Sequence, residues 1–141
     1  MDALAPALGG DVVAQTPVRP GDSARWPNLR LAGMLPRAEF DALLAASRLV
    51  VAHAGIGTVL SARAHRRPIV LLPRRAALGE HRSDHQMATA RRLEGRPGIS
   101  VAWSEGDLRA LVSRAGAPPD PCEPGSLAAL RARVSAFIEA G

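Results

Sequence analysis

The chain has 141 residues, 47% of them apolar, 22% charged and 3% aromatic, with a mean hydropathy of +0.01. Length and composition describe one globular domain, on a scale of ~100–200 residues per domain. They exclude a disordered, collagen-like or membrane-spanning chain, because no apolar run approaches ~18 residues. All 18 basic residues are arginine, and against 13 acids they leave a net charge of +5 and a pI of about 11.3.

Such a balance invites a polyanion as partner. The arginines are scattered, however, and meet only in pairs such as Arg66-Arg67, Arg74-Arg75 and Arg91-Arg92. Two Trp and two Phe supply no platform for stacking bases, which argues against nucleic acid. An anionic small ligand, an acidic partner subunit or an anionic membrane surface fits the charge equally well. The lone cysteine, Cys122, makes no internal disulfide and no cysteine-rich zinc site, which points to a reducing cytoplasm. The opening Met1-Asp2-Ala3-Leu4-Ala5-Pro6 has neither the basic nor the long apolar region of a secretory signal.

In chain order, Asp2 to Leu8 reads as the end of a helix closed by Gly9-Gly10. A strand is predicted over Asp11 to Thr16, then a Pro/Gly loop to Pro27 and a strand over Asn28 to Gly33. Pro36 opens a helix whose Phe40, Leu43 and Leu44 share a face. Leu49 to Ala52 and Pro68 to Pro73 read as buried strands, with a helix from Gly57 to His65 between them. After a polar loop come a helix from Asp84 to Leu93, a strand from Ile99 to Trp103 and a helix from Glu105 to Val112. A Pro-rich linker over 117–125 leads to a final amphipathic helix over 126–141, capped by Ser126, with Leu127, Leu130, Val134, Phe137 and Ile138 as its stripe. Strands alternating with helices over short connections predict an α/β, doubly wound parallel sheet. The sheet lacks the strand with which such folds normally open.

In an open parallel sheet, ligands bind beyond the carboxyl ends of the strands. Two polar loops fall there. The first, His53-Ala54-Gly55-Ile56-Gly57-Thr58, leads from a strand into a helix. Its glycines let backbone N–H groups approach a ligand, and the helix N-terminus favours a phosphate. Thr58 offers a hydroxyl, and His53 a ring N–H for a diphosphate oxygen. The same residues also read as a tight strand-to-helix turn with a packed histidine. The pattern lacks the third glycine of a dinucleotide fingerprint and the Gly-Lys-Ser/Thr of a P-loop.

The second loop runs from Pro73 to Gln86. Asp84 and Gln86 suit sugar hydroxyls, and Arg74 and Arg75 suit an anion; alternatively Asp84 caps a helix and the arginines are solvated. Glu80, His81, Asp84 and His85 also place two histidines four apart. The internal glutamate of a His-Glu-x-x-His site is missing, though, and adjacent arginines would repel a dication. Ser61 and Ser83 lie in no nucleophile elbow.

Taken together, Val50 to Leu60, Arg67 to Arg74 and Gly79 to Gln86 resemble the C-terminal, donor-binding domain of family 28 glycosyltransferases, in the stand-alone Alg13/PssE/EpsE-like branch. The resemblance covers roughly residues 1–114, and implies a Rossmann-like GT-B C-terminal half-domain over 1–116 that binds a UDP-sugar. It implies that His53, Gly55, Gly57 and Thr58 meet the donor diphosphate. Arg74, Glu80, His81, Asp84, His85 and Gln86 would meet the nucleotide and sugar. The resemblance leaves the catalytic residue unassigned, with His53 one candidate, and neither metal nor cofactor is expected. The implied activity is that of the donor subunit of a two-component inverting hexosyltransferase, acting on a lipid-linked acceptor in exopolysaccharide synthesis. A non-catalytic nucleotide-sugar-binding or regulatory subunit of the same fold is the alternative. The implied partner is a membrane-attached Alg14/PssD-like subunit that supplies the acceptor side, which would bring a cytoplasmic chain to the inner face of the membrane. The family's opening strand and Val-Gly-Thr loop have no counterpart here, and Ser61 stands where many relatives carry a ribose-binding glutamate.

Overall fold

A computed structural model describes residues 5–6, 11–74 and 85–114. Among these residues five strands and five helices alternate: β1 (Val13–Gln15), α1 (Asp22–Arg25), β2 (Arg30–Ala32), α2 (Arg37–Ala46), β3 (Val50–Ala52), α3 (Ile56–Ala64), β4 (Ile69–Leu71), α4 (His85–Leu93), β5 (Ile99–Val101) and α5 (Glu105–Arg114). Every pairing is parallel, as helical crossovers of this length require. The α/β class read from the alternation is the observed one.

The strands form two ladders, β1-β2 and β3-β4-β5. The helix expected over Asp2 to Leu8 and the C-terminal helix after Ser126 lie outside the described residues, as does the linker over 117–125.

β4 is the hub. Its three residues, Ile69, Val70 and Leu71, are all fully buried, because both faces and both edges of the strand are covered. Alternate side chains point to opposite faces of a strand. Ile69 and Leu71 accordingly join Leu44 of α2, Val59 and Ala62 of α3 and Ala90 of α4 on one face. Val70 joins Leu108 and Val112 of α5 on the other. β3, expected to be buried throughout, is buried only at Val50. Val51 and Ala52 are half-exposed, since β3 is a ladder edge among the described residues.

Helix boundaries follow local chemistry. Phe40 and Leu44 turn inward from α2 as their shared face predicts, with Pro36 preceding the first helical residue. Ser104 starts α5 by accepting the Asp107 N–H at 3.1 Å, and Asp107 Oδ2 in turn accepts the Trp103 N–H at 3.2 Å. One element departs from expectation. The predicted Pro/Gly loop before Pro27 contains the four-residue α1, entered through Gly21 at φ 87° and steadied by the Arg19 N–H on Asp22 Oδ2 at 2.7 Å. A helix of one turn carries no hydrophobic period, so the pattern does not reveal it.

α3 ends in a complete Schellman motif. The Arg66 N–H bonds the Arg63 carbonyl at 3.0 Å, and the Arg67 N–H bonds the Ala62 carbonyl at 2.8 Å. Arg66 takes the left-handed position at φ 53°, where glycine is the usual residue. The Arg67 guanidinium then reaches the Ala45 carbonyl, tying the end of α2 to the turn that feeds β4.

Candidate functional site

The carboxyl ends of β3 and β4 lie side by side and are latched together by Leu72. The Leu72 N–H donates to the Ala52 carbonyl at 2.8 Å, extending the ladder by one bond. The Leu72 carbonyl accepts Nδ1 of His53 at 2.9 Å. A carbonyl oxygen has no proton to give, so Nδ1 carries it. In the neutral ring Nε2 is therefore a bare lone pair, and among the described residues the exposed His53 makes no other hydrogen bond. The sequence assigned His53 as a donor to a diphosphate oxygen. Leu72 takes the one N–H of the neutral ring, so donation to a ligand requires the imidazolium.

From His53 the chain turns at once into α3. The Gly55 N–H bonds the His53 carbonyl at 2.7 Å, pinning the turn, and Ala54 is buried beneath it. Gly55 is the N-cap with φ −85° and no side-chain cap bond, and its carbonyl accepts Val59 at 3.3 Å. The N–H groups of Ile56, Gly57 and Thr58 thus have no intrahelical partner. The positive end of the helix dipole and these donors lie at the same helix end, an arrangement that favours an anion. Neither glycine is required by its own dihedral. A Cβ built at Gly55 or Gly57 meets nothing within 4 Å. Among the described residues, open space lies over both.

Two further sequence-assigned residues gather at the same end. The Arg74 N–H, just beyond β4, donates to Gln86 Oε1 at 3.0 Å and so anchors the start of α4 to the end of β4. With Oε1 engaged, Gln86 offers a ligand its amide N–H groups. The Arg74 side chain is exposed, as is His85, the first residue of α4. Glu80, His81 and Asp84 lie outside the described residues. Among the described residues from 49–74 and 85–93 there is no carboxylate, while Glu105 and Asp107 follow the neighbouring strand β5.

Sequence reasoning missed the Leu72 carbonyl and the Arg74 N–H, since backbone atoms leave no trace in residue type. It also passed over two exposed apolar side chains: Met34, 95% exposed two residues beyond β2, and Ile56, 57% exposed at the start of α3.

Residues 36–105, from the entry to α2 through the first residue of α5, match the model of the glycosyltransferase family 28 C-terminal domain. The likeness is to that C-terminal domain, over just under half of the chain. Its parallel strands and alternating helices fit a Rossmann-like GT-B C-terminal half-domain, and the matched segment contains both loops described above. A curated relative, the UDP-N-acetylglucosamine transferase subunit ALG13 of Eremothecium gossypii, is 35% identical over 71 residues. That match covers 50% of this chain and 33% of the relative, so the chain aligns with about a third of the relative's length. No solved structure matches the chain with significance. No helix among the described residues is long and apolar enough to cross a membrane.

Proposed function

We propose that this chain is the UDP-sugar-binding subunit of a two-component inverting glycosyltransferase. The observation that carries the reading is the cluster of donors beyond β3: three unpaired N–H groups of Ile56, Gly57 and Thr58, with His53 beside them, inside the matched segment. The donor diphosphate lies over Gly55 and Gly57, with the Thr58 hydroxyl at its flank. Arg74, Gln86 and His85 bound the other side, and Glu80, His81 and Asp84 of the connecting loop contact the nucleotide and sugar.

In an inverting transfer the acceptor oxygen attacks the anomeric carbon as the bond to the diphosphate oxygen breaks. Negative charge grows on the leaving UDP. N–H groups already aimed at that charge stabilise the transition state without reorganising, and typically account for several kcal/mol of the barrier, on the order of 3 per well-placed donor. No metal is needed for that step, because donors and helix dipole supply the positive potential.

The sugar is of hexose type and the acceptor a lipid-linked saccharide in exopolysaccharide assembly. A membrane-attached subunit supplies the acceptor side and holds this cytoplasmic chain at the inner face of the membrane. The relative's printed name, that of a transferase subunit, supports the two-component arrangement.

Calorimetric titration with UDP in EDTA, with GDP and ADP as controls, tests the reading. Saturable binding selective for UDP is expected. Equal binding of all three nucleotides, or of none, overturns it.

A further inference from the structure

We propose that the end of the β3-β4-β5 ladder opposite the His53 turn binds an anionic lipid surface directly. The inference goes beyond the donor-subunit reading and does not depend on it.

The register builds this end. Val50, Ile69 and Ile99 are partners across the ladder, so the three strands start level. Arg48 leads into β3, Arg66 and Arg67 into β4, and Arg96 into β5. A helix that links two parallel strands runs back against them and ends where the next strand starts. Arg63 closes α3 there, and Arg91 and Arg92 close α4. α5 returns along the opposite face, where Leu108 and Val112 pack against Val70, and ends in Arg114. Arg66, Arg91, Arg92, Arg96 and Arg114 are exposed, and Arg63 and Arg67 are half-exposed.

The fold itself uses only part of this charge. Arginine near a helix C-terminus offsets the dipole, which amounts to about half a negative charge per helix. Arg67 reaches the Ala45 carbonyl, and the Arg96 Nε reaches the Arg92 carbonyl at 3.5 Å; both bonds leave the guanidinium charge in place. The carboxylates near this end are Glu94, which accepts the Trp103 Nε1–H at 2.8 Å, and Asp41, which Arg37 pairs and His65 faces at 3.5 Å. Glu39, Glu105 and Asp107 stand in the first turns of α2 and α5, at the other end of those helices. Asp11 and Asp22 belong to the β1–α1 segment. Even without Arg48, the ends of α2 to α5 and Glu94 together offset roughly three of the seven other arginines, which leaves about four positive charges for a partner. Asp120, Glu123 and Glu139 lie outside the described residues, so the whole chain is the object to test.

The chemistry of this end selects a lipid surface. No described aromatic side chain is exposed, so a nucleic acid finds no stacking platform. Among the described residues the exposed large apolar side chains are Val18, Met34, Ile56 and Leu60, none of them in these turns or last helical turns. A protein partner therefore finds no apolar centre to bury. A level end of guanidinium groups matches a plane of lipid phosphates, which arginine binds through paired N–H donors. α3 is nine residues long, which places the His53 turn only about 14 Å from such a surface.

The experiment is sedimentation of the whole chain with vesicles of phosphatidylcholine, with and without phosphatidylglycerol, at about 0.15 M salt. Two triple variants that remove equal charge are compared: Arg66→Gln, Arg91→Gln and Arg92→Gln at this end, and Arg19→Gln, Arg30→Gln and Arg109→Gln elsewhere. Partition onto the phosphatidylglycerol vesicles alone is expected. It falls on the order of 100-fold in the first variant, about fivefold per arginine, and far less in the second. UDP binding, measured alongside, is expected to be the same in the first variant as in the parent. Equal loss in both variants, or equal partition onto phosphatidylcholine alone, overturns the inference. So does an oligouridylate that strips the chain from the vesicles at equal phosphate concentration, which would make this end a nucleic-acid face. Salt release of the parent chain is the second measurement: partition unmoved between about 0.05 and 0.3 M overturns the inference whether or not the variants fold.

Discussion

Gln86 and Arg74 are joined across the mouth of the site: the Arg74 N–H donates to Gln86 Oε1 at 3.0 Å. The bond does two things. It pins the first turn of α4 to the end of β4, and it orients the Gln86 amide so that its N–H groups are left for a ligand. The two roles separate in Gln86→Glu, which keeps an acceptor for Arg74 but loses the donor and adds a charge of the ligand's own sign. Its thermal midpoint is expected to match the parent. Its affinity for a UDP-sugar is expected to fall by ~1.5–3 kcal/mol, the range for a hydrogen bond to a charged group. Gln86→Ala, compared with UDP and with a UDP-sugar, then locates the contact: a loss for the sugar nucleotide alone places the amide at the sugar.

Gly57 offers a cleaner division between folding and binding. It occupies the first turn of α3, its dihedrals suit any residue, and a Cβ there meets open space within the protein. Gly57→Ala is expected to raise stability by ~0.4–1 kcal/mol, because alanine loses less backbone entropy on entering a helix. The same methyl would stand in the space assigned to the diphosphate. A higher urea midpoint together with at least tenfold weaker UDP binding is the expected pair of results. A stabilised variant that binds UDP unchanged would move the ligand away from this turn.

How far the sequence carried the reading depends on what kind of atom did the work. β4 was legible because an unbroken apolar run between Pro68 and Pro73 has few other uses, and both flanking prolines stop the strand where it stops. The donor turn after β3 was legible as a place, from two glycines opening a helix. Its protonation was not, since the group that sets the His53 tautomer is a main-chain carbonyl 19 residues away. Any residue type at position 72 would present that oxygen. The split into two ladders was equally hidden: each strand is only three residues long, and pairing order is a long-range property that composition does not encode. Arg66 was invisible for the opposite reason, because a Gly was the expected signal for a Schellman ending and arginine stands in its place.

That arginine carries a testable cost. At φ 53° its Cβ crowds the backbone, a strain of ~1–2 kcal/mol for a non-glycine residue. Both hydrogen bonds of the motif are made by the backbone and survive any side chain. Arg66→Gly is therefore expected to stabilise the chain by about 1 kcal/mol or somewhat less, after the extra entropy glycine loses on folding. Arg66→Ala keeps the Cβ and is expected to leave stability nearly unchanged. Urea denaturation of the three chains distinguishes strain from charge: equal gains for Gly and Ala would assign the effect to the removed guanidinium.

Asp41 gives the fold its clearest dependence on acid. The carboxylate lies on α2 between Arg37, whose Nε donates to Oδ2 at 2.5 Å, and His65, whose Nε2 stands 3.5 Å from Oδ1. The hydrogen bond from Arg37 is the main force holding the Asp41 carboxyl below its ordinary value, and His65 adds to it from α3's C-terminal cap. A carboxyl whose folded pKa is depressed stabilises the native state above its unfolded pKa, near about 3.9 for aspartate. That contribution is lost as pH falls through the lower, folded value. Asp41→Asn is therefore expected to unfold at lower urea than the parent at pH about 5–6, with the gap closing as both are taken to pH about 2–3. Because Arg37 is exposed, the effect is expected to be small and to shrink in high salt. A gap that persists undiminished at the acid end would assign the loss to the α2–α3 contact itself and not to the carboxylate's charge.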